Sequence, residues 1–266
     1  MEFLQILALA VVQGVTEFLP ISSSGHLILA PHLFGFDDQG LSLDVAVHLG
    51  SLIAVVVYFR QDIARILMGW SRALPPGAQQ NADSRLGWAV IVGVVPVVIA
   101  GILLKQIVEN DLRSAAVIAA TTIGFGLLLG WADSTAKRQR DLSEITMRDA
   151  LIIGFAQILA LIPGTSRSGI TMTAGLMLGM TREAASRFSF LLAIPTILGS
   201  SLLVTLGLLT AETSPDWISL GLGVVMSALA AYLCIHLFLQ FIEKIGMWPF
   251  VVYRLVLGVL IIILIW

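Results

Sequence analysis

Charge is what this chain has least of. Only 12% of its 266 residues are Asp, Glu, Lys or Arg, against about 25% in an average soluble domain. No basic tract and no RNA-type motif accompanies the net charge of −2, so no nucleic-acid partner is expected. Cysteine is nearly absent. The single Cys234 sits in an apolar segment, which excludes a disulfide framework and a Cys-based metal site. No Gly-Lys-Ser/Thr ending follows any glycine-rich turn, so there is no Walker loop. A basic leader and a small-residue cleavage pattern are also missing after Met1-Glu2, and the first apolar segment is expected to stay in the mature protein.

What the chain has instead is apolar surface: 58% hydrophobic residues and a mean hydropathy of +0.95. That composition predicts an all-α integral membrane protein in a single membrane domain, 1–266, with almost no solvated part. A span needs about 20 apolar residues. Six segments qualify: 43–59, 86–104, 114–131, 188–209, 217–241 and 248–266, several with Trp or Tyr at an end as interface anchors. Two further zones are shorter and broken by Pro or Gly. They are 3–19 with 27–36, and 150–162 with 170–180. Short broken pairs of this kind predict re-entrant hairpins, which dip into the membrane and return on the same side.

The charges give the layout a direction. Arg60, Arg65, Arg72 and Arg85 fall in one inter-span loop, and Lys137, Arg138, Arg140 and Arg148 in another. With Arg182, Arg187 and Lys244, eleven of the fifteen Lys and Arg lie on one side, which the positive-inside rule makes cytoplasmic. The first hairpin then enters from outside and the second from inside. Opposed hairpins are the product of an inverted repeat, here about 1–131 and 149–266. An offset of 144 residues supports it, aligning Gln13, Ser22, Ser24 and Gly25 with Gln157, Ser166, Ser168 and Gly169; Ser23 then pairs with Arg167.

The polar residues of the two hairpins are the candidates for chemistry, because ionisable groups at membrane depth persist mainly at cavities and reaction sites. Glu17 follows Gln13 by one helical turn and is the only carboxylate in the first hairpin. Ser22-Ser23-Ser24-Gly25-His26 follows Pro20 and has the composition of a turn feeding a helix N-terminus, which suits an anion such as phosphate. His26 beside the serines suggests a base with a nucleophile. In Pro163-Gly-Thr165-Ser166-Arg167-Ser168-Gly169 the arginine is the only charge between 150 and 181, and arginine matches phosphate with paired donors. Asp44 and His48, four residues apart, are placed at the outer mouth. Arg254, inside the last segment, is expected to pair with an acid or reach the interface; His32 and His236 are expected at the interface.

At these residues the chain resembles the undecaprenyl-pyrophosphate phosphatase family, also called the bacitracin-resistance protein family. The likeness spans the whole length and rests on Gln13-x-x-x-Glu17, Pro20-x-Ser-Ser-Ser-Gly-His26 and Pro163-Gly-Thr-Ser-Arg-Ser-Gly169. It implies hydrolysis of a C55 prenyl diphosphate to the monophosphate carrier in the bacterial cytoplasmic (inner) membrane, at a site facing outward. It also implies a divalent cation, Mg²⁺ or Ca²⁺. Catalytic roles fall to Glu17, His26, Ser23 and Arg167. Phosphate binding falls to Ser22, Ser24, Gly25, Thr165, Ser166, Ser168 and Gly169, and metal ligation to Glu17 and Gln13. One departure matters: the family commonly has Glu where this chain has Gln13, which removes a charge from any metal site. Sequence leaves the nucleophile open between His26, Ser23 and water, and leaves open a homodimer. The rival reading is a transporter or flippase for a phosphorylated lipid or other anion, since opposed hairpins also serve carriers.

Overall fold

A computed structural model describes residues 3–23, 26, 40–75, 77, 79–208 and 216–265. Ten α-helices are found among them: α1 (Phe3–Phe18), α2 (Gly40–Tyr58), α3 (Arg60–Arg72), α4 (Ala82–Asp111), α5 (Ala115–Thr135), α6 (Met147–Ile158), α7 (Arg167–Met177), α8 (Arg182–Leu208), α9 (Trp217–Ile245) and α10 (Trp248–Ile265). Short 3₁₀ turns at Leu142–Glu144 and Leu159–Leu161 complete the set. No strand occurs among the described residues. The protein is an all-α, multi-pass membrane protein. Helices α4, α5, α8 and α9 are each long and apolar enough to cross a membrane. α2 qualifies together with α3, from which it is bent by 72°. The six expected segments fall on α2, α4, α5, α8, α9 and α10; four of these helices, or five with the bent α2–α3 pair taken as one span, are long enough to cross, and α10 is a shorter apolar helix.

Local chemistry sets several helix ends. Asn81 caps α4, its side chain accepting from Ser84 N, and Thr146 caps α6, accepting from Asp149 N. Both close a reciprocal capping box. Pro96 and Pro195 lie inside α4 and α8, as membrane helices tolerate when neighbours satisfy the freed carbonyls.

The segment expected as a plain loop at 60–85 opens with α3. Ile66 and Trp70 pack on α4 beside Gly87, while Arg60, Arg65, Leu67, Met68 and Arg72 are exposed. A sharp bend from α2 and one charged face fit a helix lying along a membrane surface.

Packing places α1 and the second hairpin. α1 packs on α9 and α6 packs on α4. Small residues allow both approaches: a Cβ on Gly14 would lie 2.6 Å from Ser227 O, and one on Gly154 only 2.5 Å from Gly93 O. Close helix contact through glycine is the usual device where no hydrophobic effect drives association. The second hairpin is described in full. α6 tightens into Leu159–Leu161, turns at Gly164 with φ +89°, and returns as α7. Of the first hairpin, α1 and its turn are described. The expected return limb at 27–36 lies outside the described residues, as do Ser24, Gly25 and His32. The end of α1 meets the start of α7, where Ser168 Oγ donates to Leu19 O at 2.8 Å. Beneath this junction the fully buried Phe18, Phe59 and Phe190 pack edge to face.

The arginine-rich ends of the helices are tied by ion pairs. Arg140 bonds both carboxylate oxygens of Asp149, at 3.1 and 2.6 Å. Arg182 does the same to Asp133, at 2.6 and 2.9 Å, and Arg187 reaches Asp62 at 3.0 Å.

Candidate active site

Glu17 lies at the end of α1, where the helix gives way to the Pro20 turn. That position carries the negative end of the helix dipole, so a buried carboxylate there needs donors. It has four neighbours from three parts of the chain. Gln13 Nε2 donates to Oε2 at 2.9 Å, and Ser23 Oγ donates to the same oxygen at 3.1 Å. Arg167 Nη2 donates to Oε1 at 2.9 Å. His48 Nε2 stands 3.9 Å from Oε2, its ring oriented by Nδ1 donating to Asp44 O. Glu17 is only 9% exposed and the Arg167 side chain 13%.

Arg167 opens α7. Its second arm, Nη1, donates to Ser189 O at 3.1 Å, so the guanidinium is held from two sides. Ser166 before it is the N-cap, with Oγ accepting from Gly169 N at 3.1 Å and lying 3.2 Å from Ser168 Oγ. Ser166 has φ +70°, in the left-handed region that only glycine adopts without cost. Ser22, its partner at the 144-residue offset, has φ +73°. Strained backbone at functional turns is held by the surrounding structure, and here it recurs at matched positions.

These groups wall a cavity of about 280 Å³. Its polar side is Thr16, Glu17, Ser22, Ser23, His48, Ser166, Arg167, Thr196 and Ser200. Val97, Ala160, Leu161 and Ile197 form its apolar side. Of the expected residues, Glu17, Ser22, Ser23, Ser166 and Arg167 line it, and Gln13, Ser168 and Gly169 lie within hydrogen-bond distance of these. Thr165 is fully buried beside it, with no partner for its hydroxyl.

His26 is not in that cavity. Its Nδ1 donates to Ser22 O at 2.7 Å, which leaves Nε2 to accept from the Tyr253 hydroxyl. The two rings stack at 5.5 Å. His26 lines a separate, apolar cavity of about 480 Å³ with Val15, Leu19, Phe250 and Tyr253. Thr16 lines both. Sequence reasoning missed Thr16, Ser189 and Thr196. Isolated hydroxyls within spans commonly satisfy the carbonyl one turn back, so they carry no signal of their own.

A divalent hard cation takes oxygen ligands, and Mg²⁺ keeps several waters while binding one or two carboxylates and the substrate phosphates. No cluster of three His, Cys, Asp or Glu exists among the described residues. Yet Gln13 Oε1 is buried with no partner, one turn from the Glu17 carboxylate. One carboxylate and one orphaned amide oxygen fit an ion that draws its other ligands from water and substrate.

Comparison with known proteins accords with this geometry. The family model described as bacitracin resistance protein BacA matches residues 6–260. Undecaprenyl-diphosphatase 2 of Stutzerimonas stutzeri is 57% identical over 99% of this chain and 98% of its own. Undecaprenyl-diphosphatase of Alteromonas mediterranea is 58% identical over 97% of each chain, and that of Nitrosococcus oceani 58% identical over 98% of each. A family match from residue 6 to residue 260, carrying both hairpin motifs, makes this chain a member of the bacitracin resistance protein BacA family.

Proposed function

We propose that this protein hydrolyses undecaprenyl diphosphate to undecaprenyl phosphate and phosphate, recycling the lipid carrier of cell-wall synthesis and giving bacitracin resistance. The reaction rests on the family and on the relatives' names. The single observation that carries the mechanism is the shared carboxylate: Ser23, Gln13 and Arg167 all converge on Glu17.

In this reading the diphosphate competes with Glu17 for Arg167. Arg167, the hydroxyls of Ser166 and Ser168 and the N-terminus of α7 then hold the terminal phosphoryl group and stabilise charge in the transition state. Glu17 takes the proton that Ser23 Oγ already donates to it. Ser23 Oγ bonds to the terminal phosphorus as the bond to the bridging oxygen breaks, and the lipid monophosphate leaves. Glu17 passes that proton to the departing monophosphate oxygen; water then bonds to the phosphorus as the Ser23 Oγ–P bond breaks, with Glu17 taking a proton from the water and returning one to Ser23 Oγ. His26 acts on the site through the Ser22 carbonyl, keeping that turn in place. Glu17 and Gln13 would hold a Mg²⁺ or Ca²⁺, which supplies positive charge to the diphosphate.

The cavity is assigned to the outer half of the inner membrane. Thr196 lies fourteen residues beyond Arg182 on α8, or about 20 Å along the helix at 1.5 Å per residue. That is most of the way across a hydrocarbon core of about 30 Å from its arginine-rich side. A homodimer is a further proposal, tested by light scattering in detergent. A carrier would use the same opposed hairpins without needing a base beside a serine hydroxyl.

Rapid mixing with a polyprenyl ³²P-diphosphate tests the mechanism. A covalent phosphoenzyme should be trapped by acid in the wild type and absent in Ser23→Ala. Trapping in Ser23→Ala would exclude the serine as nucleophile.

A further inference from the structure

Arg254 is the largest fully buried side chain among the described residues, at 0% exposure. It was expected to meet an acid or snorkel to the interface and does neither. No carboxylate pairs with it among the described residues. Its guanidinium instead donates to five backbone carbonyls: Nε to Thr122 O at 3.0 Å, Nη1 to Thr165 O at 2.9 Å and Pro20 O at 3.3 Å, and Nη2 to Gly164 O at 3.0 Å and Thr121 O at 3.4 Å. Burying an unpaired cation is expensive, and five carbonyl dipoles partly replace its water. Room is left by Gly169, where a Cβ would come within 2.9 Å of Nη1, and by Gly126, where it would come within 3.1 Å of the Arg254 Cβ.

The identity of those carbonyls matters. The 144-residue offset that matches Ser22 to Ser166 also matches Pro20 to Gly164. One guanidinium therefore grips corresponding carbonyls of both hairpin turns. Two residues after each comes the serine with positive φ, at +73° and +70°. One residue later come Ser23 and Arg167, which meet on Glu17.

We propose that Arg254 is a positioning residue of the hydrolysis, an internal clamp that fixes the two hairpin turns relative to each other and thereby sets the spacing of Ser23 and Arg167. This rests on the reaction assigned above. The clamp also leaves a buried positive charge behind the N-terminus of α7, where the phosphoryl group would sit, so that backbone order and favourable potential come from one side chain.

The test compares purified Arg254→Met, Arg254→Gln and Arg254→Lys by melting temperature and by kcat and KM on C55 and C15 prenyl diphosphates. A misplacement of the reacting groups by about 1 Å costs on the order of a hundredfold. Arg254→Met, scored per folded protein, should lose kcat by about that factor. The factor should be equal for both chain lengths, with KM little changed. Lysine restores the charge and up to three donors, so Arg254→Lys should recover part of kcat. Wild-type kcat in any folded variant that has lost the five bonds would overturn the proposal. So would a loss confined to KM or to the long-chain substrate, or failure of all three variants to fold. Absence of phosphate release by the wild type would count against the reaction itself, and so is distinguishable from failure of the clamp.

Discussion

Replacing Arg167 by alanine strands Glu17. The carboxylate is 9% exposed, Arg167 Nη2 is its cation at 2.9 Å, and the next basic nitrogen, on His48, is 3.9 Å away. Breaking a buried pair from one side costs about 3–5 kcal/mol, because the remaining charge is left uncompensated. Against a total stability of roughly 5–15 kcal/mol, Arg167→Ala should melt far below the wild type. Glu17→Gln/Arg167→Met removes both charges and should recover most of that loss, as neutral replacements of buried pairs commonly do. Activity should behave in the opposite way. One transition-state donor is worth about 10²–10³ in rate, and the double variant lacks the base as well, so it should be folded and inactive. The assay is a melting curve from tryptophan fluorescence in detergent, beside phosphate release normalised to folded protein. A double variant no more stable than Arg167→Ala would refute the buried-pair reasoning. A single variant at either position with kcat/KM within tenfold of wild type would refute the catalytic roles.

Other outcomes follow from the same contacts. Gly154→Ala places a methyl 2.5 Å from Gly93 O and should destabilise the protein by about 1–3 kcal/mol through overpacking, read as a lower melting temperature. Asp149, at the loop end of α6, loses hydration on burial, but Arg140 and Thr146 outweigh this and hold its carboxyl below the usual range. Its contribution is therefore present above the ordinary carboxylate pKa of about 4 and is lost as pH falls through the lowered value. Melting temperatures of the wild type and Asp149→Asn should differ at neutral pH and converge in acid; a gap that persists in acid would contradict this. In a Cys234→Ala background, Asp216→Cys should react with an impermeant maleimide from outside the cell and Arg72→Cys only after lysis. The reverse pattern would invert the topology and the site with it.

Much of this was legible in the sequence, for physical reasons that can be named. The six long segments follow from hydropathy because lipid penalises every exposed polar group. The second hairpin was legible because Arg167 is the lone charge among 32 residues and follows a Pro-Gly pair. The meeting of Glu17, at the end of α1, with Arg167, at the start of α7, could be anticipated only in outline, from the expectation that the two polar turns point at each other. Three features were out of reach. Helix α3 was hidden because its arginines lower the hydropathy window although its apolar spacing is helical. Arg254 was misjudged because backbone carbonyls, its actual partners, leave no mark in the amino-acid order. His26 was grouped with Glu17 by proximity along the chain, whereas the left-handed Ser22 turns the two into different cavities.

Phosphate release from undecaprenyl diphosphate, by purified protein in detergent with no membrane gradient, tests the central claim most directly. The account predicts multiple turnovers by the wild type, and release lower by a factor of at least about 10² in Arg167→Ala and in Glu17→Ala. Binding of the lipid without release, or equal release by all three proteins, would contradict it.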